Sequence, residues 1–315
     1  MIPSTTRLDC DGALNPQRIA LVSARAAQNL DEDLAPLVAA LGAAGAQARV
    51  ENWDDNSVPW ADYDLALLRS TWDYTMRLPE FLDWAQRTAQ LTELLNPLTV
   101  LRWNIDKHYV AQLATQGVAV VPSEFVEPAE SAQSAIKIFL ARYADCAELV
   151  VKPCIGAGSR DAQRHSRSAG DAIIAHVQRL LDAGRSAMLQ PYLERVDSQG
   201  ETALIYFSGR FSHAVRKGPL LRPAGSATEA LFAAEDISAR AASAAELALA
   251  ERVLSVMPFE CPLYARIDLI RDADDRPCVL ELEMAEPSLF FAHAPGSAQR
   301  FAAAILARPV VPLRR

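Results

Sequence analysis

The sequence contains no run of basic residues, no stretch of the roughly 20 apolar residues that a membrane helix needs, and no cysteine pair at CxxC spacing. With a formal net charge of −8, the first absence argues against nucleic acid or an anionic membrane as partner. It leaves room for a local basic site that takes a small polyphosphate. The opening residues lack a basic start followed by an apolar core, so nothing marks export. The five cysteines, at 10, 146, 154, 261 and 278, are scattered; this fits a reducing compartment and offers no thiolate metal site by spacing. A cytoplasmic globular protein is the expectation. Two nucleotide fingerprints are missing as well. No GxGxxG follows the first strand, which counts against a dehydrogenase, and there is no GxxxxGK[ST] loop. Size is what the chain has, with 315 residues, 50% of them hydrophobic, enough for two or three domains with cores of their own.

Apolar runs at Arg18 to Ser23, Gln47 to Glu51 and Asp64 to Arg69 read as strands. Between and after them, Asp31 to Ala44 and Pro79 to Leu95 carry helical periodicity. Strands alternating with helices predict a parallel α/β layer, whose ligands sit at the carboxyl ends of strands. Two loops qualify, Ser23-Ala24-Arg25 and Ser70-Thr71-Trp72-Asp73-Tyr74. The second, beside Arg69, gathers hydroxyl, indole, acid and phenol and reads as a substrate pocket.

Past Trp103 the pattern changes. Asn104 reads as the cap of a helix to about Gly117, which puts Lys107 in a first turn, where the helix dipole disfavours a cation unless an anion docks there. Glu148 to Lys152 is a strand stopped by Pro153, followed by Cys154-Ile155-Gly156-Ala157-Gly158-Ser159-Arg160. The glycines and small side chains of that loop allow backbone N–H groups to converge on an oxyanion. Ser186 to Glu194 is a strand entering a proline-containing hinge. Thr202 to Ser208 and Arg210 to Arg216 form a hairpin in which Glu201 would face Arg216, a plain cross-strand ion pair. Residues 218 to 236 are too long for an idle connection and read as a lid. Ser238 reads as the cap of an alanine-rich helix to Met257, and Ser297 to Ala307 as a final amphipathic helix.

Tyr264 to Arg271 and Cys278 to Glu283 alternate with period two around a turn-rich middle, which predicts a β-hairpin. In a simple register Asp268 faces Glu281 and Arg266 faces Glu283. All four then share one face, while Ile267, Leu269, Leu280 and Leu282 point to the other. Three carboxylates with one arginine on a face repel one another unless cations sit there, and hard oxygen donors at this density suit Mg²⁺.

Lys107, Val150 to Pro153, the Gly156 to Ser159 loop, the Gln190 to Glu194 hinge, Arg266-Ile267-Asp268 and Glu281-Leu282-Glu283 form an ordered set that resembles the ATP-grasp superfamily. The runs Arg69 to Tyr74, Trp103 to Lys107, His213 to Lys217 and Glu283 to Ser288 are similar to its glutathione-synthetase-like branch, and within it to the O-ureido-serine cyclo-ligase family of cycloserine biosynthesis. The resemblance implies an α/β plus α+β architecture: a Rossmann-like preATP-grasp domain at 1–102 on the substrate side, a small ATP-grasp subdomain at 103–190 with Lys107, Lys152 and the glycine-rich loop, and a C-terminal subdomain at 191–315 with the carboxylates. It also implies roles. Lys107 and Lys152 hold ATP phosphates, Gly156, Gly158 and Ser159 cover them, Gln190, Tyr192 and Leu193 meet adenine, and Glu194 or Glu201 meets ribose. Asp268, Glu281 and Glu283 hold two Mg²⁺ ions, with Mn²⁺ as an alternative. Many members have Asn where this chain has Glu283, so the metal end carries one more negative charge here.

The implied reaction is ATP-dependent ligation of a carboxylate to an amine or similar nitrogen through an acyl phosphate. Its substrates are small amino-acid-like molecules or peptides, and ring closure is one form of it. Arg266 would stabilise the tetrahedral oxyanion, while Arg216 and Lys217 reach the phosphoryl group or the substrate carboxylate. Rival readings are a small-molecule kinase and a non-catalytic ATP-binding module, and a homodimer is the default assembly for this class.

Overall fold

The structure, a computed structural model, describes residues 16–221 and 236–308. Three sheets follow one another along the chain. The first is built from β1 (Arg18–Ser23), α1 (Leu34–Ala43), β2 (Gln47–Asn52), β3 (Leu65–Ser70), α2 (Leu78–Leu91), β4 (Glu93–Leu95) and α3 (Leu98–Asn104). Its strands are all parallel, in the order β2-β1-β3-β4. β1 and β3 are central and covered on both faces, so they read as unbroken apolar runs rather than alternating ones. The order of strands along the sheet reverses between β1 and β3, with β2 outside the first and β4 outside the second, which opens a crevice at their carboxyl ends. The helix expected from Asp31 begins only at Leu34, leaving Asp31 to Asp33 as a loop over that crevice.

The second unit holds α4 (Tyr109–Thr115), β5 (Glu124–Val126), α5 (Ala132–Arg142), β6 (Glu148–Pro153), β7 (Gln163–Ser166), α6 (Gly170–Asp182) and β8 (Ala187–Pro191), with an antiparallel sheet β5-β8-β6-β7. Helices α5 and α6 pack on one face around Phe139, Ile173, Val177 and Leu180. Ser131 caps α5, its Oγ accepting from Ser134 N at 3.3 Å. Asn104 does not cap a helix. It is the last residue of α3, and Lys107 lies in the turn between α3 and α4.

The third unit comprises α7 (Arg195–Gln199), β9 (Glu201–Phe207), β10 (Arg210–Lys217), β11 (Ile237–Arg240), α8 (Ala244–Ser255), β12 (Tyr264–Arg271), β13 (Pro277–Glu283) and α9 (Ser297–Leu306), with the antiparallel sheet β11-β10-β9-β12-β13. Helix α8 is capped by Ser243 rather than Ser238, because Ser243 and Glu246 form a reciprocal capping box while Ser238 pairs with Arg216 across β10 and β11. Ser208 and Gly209 turn the β9–β10 hairpin with φ of 47° and 73°, the primed geometry that suits twisted strands. A Cβ on Gly209 would also sit 2.8 Å from Cys261 Sγ. Helix α9 returns to the first sheet, where Phe301 and Ile305 share a core with Leu37, Leu41 and Phe207.

Two bulges alter the expected registers. One between Phe211 and His213 brings Lys217, not Arg216, opposite Glu201. The other follows Asp268, so Leu269 faces Val279 and Leu280 is the extra residue. Leu280 therefore joins Ile270, Tyr192 and Leu193 instead of the face shared by Ile267, Leu269 and Leu282, and Val279 takes its place there. Of the expected lid, residues 222–235 lie outside the described residues. Among the described residues, no helix is long and apolar enough to cross a membrane.

Candidate active site

The anticipated pairing of β12 with β13 holds at the residues that matter: Arg266 faces Glu283 and Asp268 faces Glu281. Two of the cations that balance these acids come from other elements, and the third, Arg266, from the hairpin itself. Lys107 Nζ lies 2.9 Å from Glu281 Oε1, and Lys217 Nζ lies 2.9 Å from Asp268 Oδ2 and 3.0 Å from Glu201 Oε2. Arg266 grips both oxygens of Asp268 at 2.9 Å and also bonds Glu283. The acids are thus met by protein cations, which a reading confined to one hairpin could not see.

Burial alone would raise the Asp268 carboxyl, but Arg266 and Lys217 outweigh it and hold it low, at about 2. For Glu281, likewise, Lys107 and Lys152 overcome burial and keep the carboxyl below its ordinary value. Glu283 goes the other way. Burial pushes it up, and the charges of Glu281 and Asp268 add to that beyond what Arg266 offsets. Burial lowers the Lys152 ammonium, with Lys107 adding repulsion, so this lysine is short of negative charge. The charges at Glu283 and Lys152 are thus only partly matched within the cleft, which suits a metal-bound polyphosphate. Glu281 and Glu283 keep 26% and 25% side-chain exposure, whereas Asp268 keeps 1%. The first two face the cleft and Asp268 lies beneath them.

These groups line a cleft of about 490 Å³ with Lys107, Lys152, Gly156, Gly158, Ser159, Gln190, Tyr192, Leu193, Glu201, Lys217 and Arg266. Lys107 Nζ also donates to Gly156 O at 2.7 Å, tying the lysine to the glycine loop. Gly158 and Ser159 both have positive φ (61° and 59°), so the loop turns back over the cleft. Val121, Val196, Ile270 and Leu280 give one part of the wall an apolar surface beside Tyr192 and Leu193. Glu194 is exposed and does not line the cleft, leaving Glu201 as the acid placed there. Arg216 is not on the wall either. Adjacent to Lys217 on a strand, it points to the other face and bonds Gln199 O and Asp236.

Of the stretch Arg69 to Tyr74, only Trp72 and Tyr74 reach the cleft. Ser70 pairs with Ser23 (2.9 Å between hydroxyl oxygens), Thr71 is fully buried, and Asp73 accepts from Trp53 Nε1 and bonds Arg77. Arg69, 1% exposed, donates to Pro287 O at 2.7 Å. It belongs to a set of side chains that hold the main chain after β13. Asn104 bonds Leu282 O and Met284 N, and Asn96 bonds Met284 O. Tyr264 Oη lies 2.9 Å from Ala285 O, Trp72 Nε1 donates to Glu286 O at 3.0 Å, and Asp33 accepts from the N–H groups of Leu289, Phe290 and Phe291.

That segment carries a residue to which no role was expected. Glu286 lines the cleft, and burial raises its carboxyl to about 7, with Tyr74 hydrogen-bonding to it and Lys107 pulling it down. Asp31 is a second such residue. It lines the cleft at the β1/β3 crevice with Oδ2 buried and without a hydrogen-bond partner among the described residues. Glu286 lies inside the run Glu283 to Ser288, but only its burial, which spacing does not reveal, marks it out. For Asp31 the available signal was its position just after the first strand of a parallel sheet.

Residues 19–96 match the family described as the N-terminal domain of D-cycloserine synthetase DcsG. The chain is 39% identical over 297 residues to the cycloserine biosynthesis protein DcsG of Streptomyces lavendulae, spanning 92% of this chain and 98% of that protein. The crystal structure of D-cycloserine synthetase DcsG superposes with a TM-score of 0.88 at 37% identity, covering 93% of this chain and 99% of that one. The ATP-grasp ligase PsnB, solved with a phosphomimetic variant of its minimal precursor, Mg and ADP, superposes at 0.62 with 17% identity over 94% and 99% of the two chains. D-alanine–D-alanine ligase from Bacillus anthracis superposes at 0.61 with 14% identity over 93% and 95%. The last two likenesses concern the fold alone.

Proposed function

The chain belongs to the DcsG family of D-cycloserine synthetases and has the ATP-grasp fold, and from that premise we propose that it is an ATP-dependent ligase. It joins a carboxylate to a nitrogen through an acyl phosphate, releasing ADP and phosphate, and its substrate is a small amino acid of the O-ureido-serine kind that closes on itself. The observation that carries this reading is the convergence of Lys107, Lys152, Lys217 and Arg266 with Glu281 and Glu283 in one cleft beside the glycine loop.

Lys107 and Lys152 bind phosphate oxygens, and the loop from Gly156 to Ser159 turns its N–H groups onto them and keeps water off. The apolar wall of Val121, Ile270, Leu280 and Leu193 suits adenine, with Gln190 to Leu193 as the hinge and Glu201 as the ribose partner. Glu281 and Glu283 hold Mg²⁺, two ions in this reading, with Asp268 available below them where Lys217 turns to an anion. When bound, the metal neutralises phosphate charge during transfer. Arg266 is fixed by Asp268 beside the reacting carbon, where its guanidinium stabilises the oxyanion formed as nitrogen adds. Arg216, turned off the cleft, has no part in this scheme. Asp31, whose buried Oδ2 has no hydrogen-bond partner among the described residues, suits the substrate ammonium at the crevice of the first sheet. We read the three sheets as three units that meet near residues 102 and 190.

The test is ADP release with ATP and Mg²⁺ across amino acids, dipeptides and O-ureido-serine, with mass spectrometry of the product. Expected is release that requires carboxylate and nitrogen together, a cyclised product, and loss of turnover in Glu281→Gln at unchanged circular dichroism. ADP release with a carboxylate alone and no new C–N bond would make the protein a kinase. Nucleotide binding without turnover on any substrate would make it a binding module.

A further inference from the structure

Asp106 and His108 flank Lys107 but do not line the cleft, and neither does Cys154. The Lys107 N–H donates to Cys154 O at 2.9 Å, which draws the segment after β6 against the turn between α3 and α4. One donor atom from each of Asp106, His108 and Cys154 lies within 4.8 Å of the other two. The imidazole of His108 is caught between acids. Its Nδ1 is 2.6 Å from Asp106 Oδ1, and its Nε2 is 3.0 Å from Glu127 Oε1. A neutral imidazole has one N–H, so it can donate to only one of these oxygens. At the other, two lone pairs face each other unless a proton or a metal ion is shared between them. Cys154 is a free thiol, 2% exposed.

Carboxylate, imidazole and thiol in one sphere form the donor set of a borderline-soft divalent ion, not of Mg²⁺. We propose that Asp106, His108 and Cys154 form a binding site for a divalent cation of the Zn²⁺ class, separate from the carboxylates of β13, with His108 Nε2–H donated to Glu127 outside the coordination sphere and solvent as the fourth ligand. Tetrahedral zinc, with bonds of about 2.0–2.3 Å, sets its ligand atoms roughly 3.3–3.8 Å apart. The spread here closes by rotation of Asp106 and His108, whose side chains are 41% and 35% exposed. As the metal–sulfur bond forms, Cys154 releases its proton to solvent. Burial, with Asp106 and Glu127 adding, pushes the thiol up to about 12 in the metal-free state, so binding strengthens as pH rises. Occupancy ties the turn that carries Lys107 to the segment that leads into the glycine loop, without entering the cleft.

Cobalt(II) is the probe. Metal-free full-length protein is expected to bind one equivalent with a thiolate-to-cobalt charge-transfer band in the near ultraviolet, displaced by Zn²⁺. Cys154→Ser loses the band, Asp106→Asn weakens binding about tenfold or more, and Glu281→Gln keeps the band, which separates this site from the acids of β13. Zn²⁺ raises the thermal midpoint of the wild type and raises that of Asp106→Asn by less at the same concentration. Because Cys154 is buried and its variant can fail to fold, Asp106→Asn and His108→Ala carry the same test on half-exposed positions. A band that persists in Cys154→Ser, unweakened binding in both half-exposed variants, or no cobalt bound by the wild type at tenfold excess overturns the proposal.

Discussion

Replacing Asp33 by alanine removes three hydrogen bonds that join residues at opposite ends of the sequence. Its Oδ2 accepts from Leu289 N at 2.6 Å and Phe290 N at 3.0 Å, and its Oδ1 accepts from Phe291 N at 2.8 Å. Asp33, Leu289 and Phe291 are 5%, 0% and 6% exposed. Two of the three N–H groups therefore lose their partner where water does not replace it, at about 1–3 kcal/mol each. The half-buried Phe290 N–H rehydrates, and the lost desolvation cost of the carboxylate offsets part of the total. The expected destabilisation is about 3–5 kcal/mol, read as a shift of the urea midpoint at unchanged slope. Asp33→Asn keeps one carbonyl oxygen and should lose about half as much. Turnover responds as well. Phe290 lines the cleft with the Arg266 guanidinium 5.4 Å from its ring centroid, so the KM for the amino-acid substrate rises while that for ATP changes little. Asp33→Ala within about 0.5 kcal/mol of wild type, with both KM values intact, would refute the view that this carboxylate fixes the segment.

Lys107→Met loses contacts at 2.9 Å to Glu281 and 2.7 Å to Gly156 O, and steady-state ADP release should show kcat/KM for ATP down about 100-fold or more. Glu286 supplies a pH test. Its folded carboxyl is raised by burial from 4.5 to about 7, so its contribution to stability is full below the lower value and is lost as pH rises through the upper one. In metal-free buffer, the stability of wild type minus Glu286→Gln should fall by up to about 3 kcal/mol between those limits, and a flat difference in urea titrations would show the group already ionised. Trp72→Phe removes the 3.0 Å bond to Glu286 O and should cost about 1 kcal/mol, with a raised KM for the amino-acid substrate alone. Chelation of divalent ions should stop ADP release, and Mg²⁺ should restore it.

Where burial and alternation agree, local sequence was enough. β1, β6 and the facing of Arg266 with Glu283 follow from apolar runs and from a turn of defined length. Leu280 and the partner of Glu201 did not follow, because a single bulged residue shifts a strand by one and inverts its faces. Arg69 illustrates a different limit. A charged residue ending an apolar strand reads as a pocket group, yet its partner is the carbonyl of Pro287, far along the chain. Such pairings are set by how sheets dock, which no local pattern encodes. The same holds for Glu281 and Asp268, whose balancing cations Lys107 and Lys217 sit on other elements.

Asn96, Asn104, Arg69, Trp72 and Asp33 all bind the chain from Leu282 to Phe291 through its carbonyls and amides. A ribbon held by its spine can change its teeth. Substitutions at Glu286, Ser288 or Phe290 alter what the cleft presents while the clasp that seats the ribbon stays the same, so diversification toward new acceptors can proceed at these positions without redesign of the scaffold.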